Sequence, residues 1–174
     1  MTTSDPACDT AHGGHSPDHG PRTLVVVFET PVAEHLIRFA ADVGYRTVLV
    51  EPQPRLLAGT PKPHGDQTVS SVGAAGPDEH TDLVVTDHNR PELGSMLRDA
   101  LDSEARWIGV MGAKRHTAPH IEALRKLGVD DATIARVHRP IGLNIGSRTP
   151  AEIALATLAG LIADRNGRPG GFVF

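Results

Sequence analysis

The stretch LVVVFETPVAEHL, residues 24–36, decides the fold class of this chain. Its first half is a run of apolar residues that favour β-strands, and its second half carries apolar residues at helical spacing. Only Glu29, Thr30 and Pro31 separate the two halves. A buried strand that turns directly into an amphipathic helix is the first unit of a nucleotide-binding α/β fold.

Short apolar runs continue to alternate with helical patterns to residue 167. This alternation predicts a three-layer, Rossmann-like α/β fold with a mainly parallel sheet, in one domain over residues 22–167. Residues 1–21 are rich in Gly, Pro, Ser, Asp and His and show no periodicity, so we expect a disordered tail. Residues 168–174 are expected to form a C-terminal tail.

Composition excludes several classes of protein. The chain has 174 residues, a formal net charge of −4, one tryptophan, one tyrosine and four phenylalanines, which argues against a nucleic-acid partner. It has no apolar run of roughly 20 residues and no signal core, so we expect a cytoplasmic protein with no membrane partner. The single cysteine, Cys8, excludes an internal disulfide. Cys8 and the tail histidines match no closed zinc motif. They could collect a metal ion loosely or belong to a passive tail. The passive tail is favoured, so we predict no metal site.

The turn at Glu29-Thr30-Pro31 disfavours the usual binding pose of a dinucleotide. A glycine-rich turn normally admits the pyrophosphate, whereas Glu29 places a negative charge there and Pro31 lacks one N–H donor. Glu51 ends the second predicted strand about 20 residues after Glu29, where a ribose-binding acid is expected. Two interpretations of Glu51 stay open: a ligand-binding carboxylate, or a solvated strand end.

Two loops at the same predicted edge of the sheet favour an anion-binding or cofactor-binding site. They combine glycines with cationic side chains before helices. The candidates are Gly112, Lys114 and Arg115 in the first loop and Gly142, Asn144, Gly146 and Arg148 in the second. The cations could instead solvate a helix start, and the glycines could serve tight turns. Asp87 and His88 follow another strand, but the turn interpretation is favoured over a catalytic pair, and no catalytic residue is predicted.

The segments RWIGVMGAKRH (residues 106–116) and IARVHRPIGLNIGSRTPAEIALATLAGLIADRNG (residues 134–167) resemble the C-terminal Rossmann domain of the XdhC/CoxI family of xanthine dehydrogenase accessory proteins. That family typically has Y-I-G-L-x-G-S-R-R at the first place and H-x-P-I-G-L-D-I-G-A-R-T-P-E-E-I-A at the second. The likeness is weaker over residues 27–54 and covers most of residues 23–167.

Three departures from the family pattern are visible. The family's G-A-G-H is replaced by Glu29-Thr30-Pro31, its aspartate before I-G-A-R is Asn144, and its T-H-D-H stretch is shortened to Thr86-Asp87-His88. Full-length members also carry an N-terminal domain with a cysteine implicated in cofactor binding. Cys8 lies in a short tail and is not equated with that residue.

The resemblance implies an accessory protein that matures a molybdenum hydroxylase by handling or delivering molybdenum cofactor, without catalysis of its own. The implied partners are the client enzyme, a separate protein that supplies the N-terminal domain, and a second copy of the chain in a homodimer. Molybdopterin is the expected ligand and NAD(P) the less favoured one. The alternatives are an NAD(P)-dependent oxidoreductase and a degenerate, ligand-free scaffold that mediates protein contacts.

Overall fold

The computed structural model describes residue 20 and residues 22–53, 65–112 and 118–171. The predicted N-terminal tail with Cys8 lies outside the described residues except for Gly20. Two predicted site residues, Lys114 and Arg115, also lie outside them, as do residues 172–174 of the predicted C-terminal tail.

Six parallel strands form one sheet in the order β3-β2-β1-β4-β5-β6 within the described residues. Their bounds are β1 Thr23–Val27, β2 Arg46–Val50, β3 Gln67–Val69, β4 Thr81–Val85, β5 Trp107–Val110 and β6 Val137–His138. Val25 of β1 pairs with Val48 of β2 on one side and Leu83 of β4 on the other. The chain crosses from one half of the sheet to the other at this point, because β1 starts one half and β4 the other.

Helices cover both faces of the sheet. Their bounds are α1 Pro31–Asp42, α2 Val72–Ala75, α3 Leu93–Leu101, α4 Pro119–Lys126, α5 Asp131–Ile134 and α6 Pro150–Arg165. One apolar cluster joins Leu24 and Val26 to α1 and α6, and a second joins Val25 and Val27 to α3 and α4. The predicted three-layer, Rossmann-like architecture is therefore confirmed. No helix of the described residues has both the length and the apolar character needed to cross a membrane.

The region after β3 differs from the sequence prediction. The stretch QTVSSV, residues 67–72, is a weak strand pattern followed by loop residues, but β3 ends at Val69 and residues 72–75 form a short helix. The Ser71 hydroxyl accepts a hydrogen bond from the Ala74 N–H at 3.3 Å and caps this helix. Gly76 then ends it in the left-handed conformation, with φ of 60°.

Strands β5 and β6 are held together by a ring stack. The rings of Trp107 and His138 lie nearly parallel, at 3°, with their centroids 4.9 Å apart. Gly109 makes room for the indole, because a Cβ atom at this position would lie 2.2 Å from it. The start of the loop that follows β6 is therefore packed against β5.

A buried ion pair fixes the turn between β1 and α1. The carboxylate of Glu51, whose side chain is completely buried, receives Arg90 nitrogens at 2.9 and 3.3 Å. It also accepts the backbone N–H of Glu29 at 3.0 Å and that of Gln53 at 2.9 Å. The ends of β1, β2 and β4 are thereby tied to a single carboxylate.

Phe28 begins this turn in a conformation that usually requires glycine. Its φ is 73°, and its side chain is fully buried beneath the Arg90 guanidinium, which lies 4.6 Å from the ring centroid. The Thr86 hydroxyl lies 3.0 Å from the carbonyl oxygen of Val27 and 2.9 Å from that of Phe28, and donates to this pair. Contacts from neighbouring strands therefore hold the left-handed backbone in place.

The loop from residue 140 to residue 148 lies against α6. Gly142 has φ of +83°, and a Cβ atom there would lie 3.0 Å from the backbone carbon of Ala156 and 3.0 Å from the backbone nitrogen of Thr157. Gly146 has φ of +70°, but a Cβ atom there would meet nothing within 4 Å. Both positions therefore require a residue that tolerates a positive φ, but only at Gly142 would a side chain also clash with α6.

Replacing Arg90 with Met should lower the free energy of unfolding by about 3 kcal/mol, because the Glu51 carboxylate would stay buried without its cation. Chemical denaturation of wild type and Arg90→Met measures the loss. Arg98→Met is the matched control, since Arg98 and its partner Asp99 are 43% and 35% exposed and such pairs contribute about 0–1 kcal/mol. Equal losses in the two variants would contradict the role given to Glu51 and Arg90.

The stabilising effect of Glu51 should depend on pH. Burial acts to raise the pKa of the Glu51 carboxyl, but the hydrogen bonds from Arg90, Glu29 and Gln53 outweigh it and hold the pKa below its usual range. A lowered folded-state pKa stabilises the protein above the unfolded pKa of about 4.3 and ceases to do so as the pH falls through the folded value. The difference in unfolding free energy between wild type and Glu51→Gln should therefore be constant near neutral pH and shrink as the pH falls below about 5. A pH-independent difference would refute this linkage.

The substitutions Gly142→Ala and Gly146→Ala should have unequal effects on stability. Gly146→Ala should cost about 1 kcal/mol, which is the penalty of a left-handed backbone for alanine. Gly142→Ala should cost about 3 kcal/mol, because the new methyl group also crowds the backbone of α6. Thermal unfolding of the two variants would show the difference, and equal midpoints would mean that this loop does not pack closely on the helix.

Candidate functional site

A large cleft bounded by the described residues has a volume of about 1020 Å³ and lies at the carboxyl ends of β1, β4, β5 and β6. Ligands of open α/β sheets bind at this edge, near the point where the strand order reverses, which here lies between β1 and β4. The lining residues come from the start of α1, from the segments after β4, β5 and β6, and from α6: Val32, Thr86, His88, Met111, Gly112, residues 140–148, Ile153, Ala156 and Thr157. The position and volume suit a small organic ligand.

The cleft has an apolar part and a polar part. Val32, Met111, Ile141 and Ile153 supply aliphatic and thioether surface from different elements. The polar lining groups include the side chains of His88, Asn144, Ser147 and Arg148. An apolar wall beside a few polar groups can hold a flat ring and fix its orientation.

The structure brings most of the predicted site residues together. Gly112, Gly142, Asn144, Gly146 and Arg148 all line this cleft. Gly142 has its own structural reason to be glycine, because α6 fills the space where a side chain would be, and any ligand contact of Gly142 stays a prediction. Glu51 is not among the residues that line the cleft.

Glu51 is not a solvated strand end, since the residue is 1% exposed. Its oxygens receive Arg90, the Glu29 N–H and the Gln53 N–H, so a ribose hydroxyl would have to compete with these donors. The Glu51 carboxylate is thus the anion that the backbone N–H of Glu29 binds at the first turn of the fold. A role of Glu51 in ligand binding stays a prediction.

The N-terminus of α6 is also occupied by a carboxylate of the chain. Glu152 accepts the backbone N–H groups of Arg148 at 2.6 Å and Thr149 at 3.0 Å, while the Thr149 hydroxyl accepts the Glu152 N–H at 3.2 Å. These hydrogen bonds lower the pKa of the Glu152 carboxyl. The sequence T-P-A-E at residues 149–152 is typical of such a capping box. Because the N–H groups of the helix start are used in this way, the exposed Arg148 side chain is the positively charged group that this loop offers to a ligand.

Arg139 is a neighbouring cation that sequence reasoning missed. Its guanidinium lies across Gly112 at the end of β5, where a Cβ atom would be 2.6 Å from Nε and 2.8 Å from Nη2 of Arg139. The absence of a side chain at Gly112 therefore leaves room for the Arg139 guanidinium at the edge of the sheet. The only signal in the sequence was an arginine directly before the Pro140–Arg148 loop.

A second, smaller cleft of about 370 Å³ lies on the other side of Arg139, between α4, α5 and β6. His120 lines it and is 4% exposed, and its Nδ1 has no hydrogen-bond partner among the described residues. Burial, together with the nearby Arg139 and His88, lowers the pKa of the His120 imidazole. Nothing in the sequence distinguished His120 from other polar residues of a helical pattern.

The segment after β4 agrees with the turn interpretation. Asp87 accepts the Asn89 N–H at 2.8 Å, as aspartate does in turns, while His88 lines the large cleft. Within the described residues, no group of three or more His, Cys, Asp or Glu side chains is arranged to hold a metal ion.

Comparison with known proteins identifies relatives of the whole domain. The chain is 32% identical over 97 residues to the uncharacterized protein YqeB of Escherichia coli, a match that covers 56% of this chain and 17% of that protein. It is 22% identical over 151 residues to a probable subunit of xanthine dehydrogenase from Bacillus subtilis, covering 83% of this chain and 44% of the relative. The chain thus spans less than half the length of these relatives.

Solved structures support the same fold. The crystal structure of a xanthine dehydrogenase from Bacillus halodurans superposes with a TM-score of 0.67 at 24% sequence identity, over 85% of this chain and 44% of that one. The model of the XdhC Rossmann domain matches residues 24–161, which include the cleft and the loop after β6. The chain therefore belongs to the XdhC Rossmann domain family.

Proposed function

We propose that this chain is an accessory protein that handles molybdenum cofactor during maturation of a molybdenum hydroxylase. The observation that carries the proposal is the cleft of about 1020 Å³ at the switch point, walled by the loop after β6, in a domain of the XdhC family. Relatives whose names refer to xanthine dehydrogenase favour the same client class. The client enzyme, a homodimer and a separate protein bearing the N-terminal domain remain parts of this proposal.

The lining of the cleft fits a phosphorylated pterin as cargo. The aliphatic side chains of Val32, Ile141 and Ile153 can contact the faces of a flat ring, while Asn144 and Ser147 can hydrogen-bond its polar edge. Arg148 is exposed at the rim and can donate charge-assisted hydrogen bonds to acceptor atoms of the molecule. The cofactor brings its own metal and redox chemistry, and the chain's role is to bind, shield and transfer it.

The turn after β1 disfavours NAD(P) as the ligand and an oxidoreductase as the function. A pyrophosphate at this turn would lack backbone donors, because the Glu29 N–H is donated to Glu51, the Ala33 N–H is donated to Thr30, and Pro31 has none. A ligand-free scaffold is favoured by a different observation. Ile145 and Leu155 are each 54% exposed near the cleft, and they offer apolar surface for contact with another protein.

The function is tested by calorimetric titration of the purified protein with molybdopterin, in parallel with NAD and NADP at constant salt concentration. We expect saturable binding of molybdopterin and no saturable binding of either dinucleotide. Arg148→Ala should weaken molybdopterin binding by about tenfold, because one charge-assisted contact is lost. The helix start should survive, since Glu152 binds the backbone N–H of residue 148 and not its side chain.

Arg168→Ala is the matched control, because Arg168 is exposed and lies beyond α6, away from the cleft. Its affinity for molybdopterin should equal that of the wild type. Saturable binding of NAD or NADP alone would support the oxidoreductase instead. Silence with all three ligands would refute the cofactor-handling role and favour the scaffold.

A further inference from the structure

The N-terminus of α4 differs from those of α1 and α6, which are capped by side chains. Thr30 caps α1 with its hydroxyl, and Thr149 and Glu152 cap α6. At α4 the N-cap residue is Ala118, which has no side-chain oxygen to accept a backbone N–H. Pro119 at its first position has no N–H, and the Ile121 N–H is donated to the Ala118 carbonyl oxygen at 3.0 Å. This helix start therefore contributes mainly its partial positive charge, which no side chain of the N-cap residue matches.

His120 supplies a second, independent observation at the same place. It lies in the first turn of α4 and is only 4% exposed, yet its Nδ1 has no hydrogen-bond partner among the described residues. A buried nitrogen without a partner is costly, and native structures usually pair such groups with protein, water or a ligand. The ring lines the smaller cleft, so a ligand in that cleft lies within its reach.

The charges around His120 favour an anion. Arg139 lines the same cleft, and both Arg139 and His88 lie close enough to oppose protonation of the imidazole. The other charged residues of this cleft, Arg125 and Asp131, pair with each other at 2.8 and 3.0 Å and leave little net charge. The electrostatic field that these residues produce at His120 is therefore positive.

Gly112 connects this place with the large cleft. It lines the large cleft, and the Arg139 guanidinium lies directly against it. His88 also lines the large cleft and is coupled electrostatically to His120. A molecule with its ring in the large cleft can therefore direct a short anionic arm towards the Arg139 guanidinium, which also lines the smaller cleft with His120.

We propose that His120, Arg139 and the N-terminus of α4 form a binding site for the phosphate group of the ligand. The identity of the ring in the large cleft rests on the proposed function, whereas the phosphate site stands on these residues alone. Guanidinium and helix N–H groups are the usual partners of phosphoryl oxygens. A bound dianion provides a hydrogen-bond partner for the imidazole and favours its protonated form.

The site is tested with inorganic phosphate as the probe, by following the ring signals of His120 by NMR at constant ionic strength. We expect a saturable shift of these signals and a rise in the pKa of His120 as phosphate binds. Arg139→Met should weaken phosphate binding at least tenfold, and Arg139→Lys, which keeps the charge but loses the planar fork, should lie in between. Arg168→Met is the control for loss of one surface charge and should bind phosphate as the wild type does.

Equal phosphate affinities for wild type, Arg139→Lys and Arg139→Met would overturn the inference, as would shifts of His120 that never saturate. Thermal unfolding shows whether each variant is folded, and the lysine variant keeps the test decisive if the methionine variant is not. Titration of the same variants with molybdopterin separates the two proposals. Molybdopterin binding unaffected by Arg139→Met would refute the phosphate site alone, whereas phosphate binding without molybdopterin binding would refute the proposed function alone.

Discussion

The buried pair of Glu51 and Arg90 is the constraint on which the ligand-binding edge of this domain depends. One carboxylate collects a guanidinium and two backbone N–H groups, and these come from segments that follow β1, β2 and β4. Burial of a charge is unfavourable unless its hydrogen bonds are complete, so the segments are held in one arrangement. The left-handed Phe28 is tolerated because Arg90 covers its ring. The turn that leads into α1, whose Val32 lines the cleft, is therefore fixed by the protein's own side chains.

The same physical device occurs at α6, where Glu152 takes the N–H groups that a ligand anion could have used. The domain keeps the Rossmann-like architecture, but its own carboxylates accept backbone N–H groups at two positions where that architecture usually binds phosphate. Arg139 directly follows β6, and Arg148 lies in the loop that comes after it. The proposed ligand contacts thus lie away from the first turn of the fold, towards the strands at the far side of the sheet.

The fold was predictable from the sequence because its signals are local: the apolar strands, the helical spacing and the capping box of α6 each lie within a few residues. The sequence also placed Gly112, Gly142, Asn144, Gly146 and Arg148 on one edge, since parallel strands end together. It could not reveal the partner of Glu51, because Arg90 is 39 residues away and no spacing rule joins them. His120 and Arg139 were missed for the same reason, as their proximity arises only when α4 packs beside β6. The short helix after β3 was missed because four residues carry no periodicity.

The stack of Trp107 on His138 gives the protein a built-in optical reporter. Trp107 is the single tryptophan of the chain, so all indole emission comes from this site. The ring lies face to face with an imidazole on the two-residue strand that leads into the loop of the large cleft. The indole is 9% exposed and stacked on the His138 ring, so a change in the docking of this strand changes the surroundings of the indole and hence its emission. Detachment of β6 from β5 would therefore change the emission of Trp107, and no added fluorophore is needed to follow it.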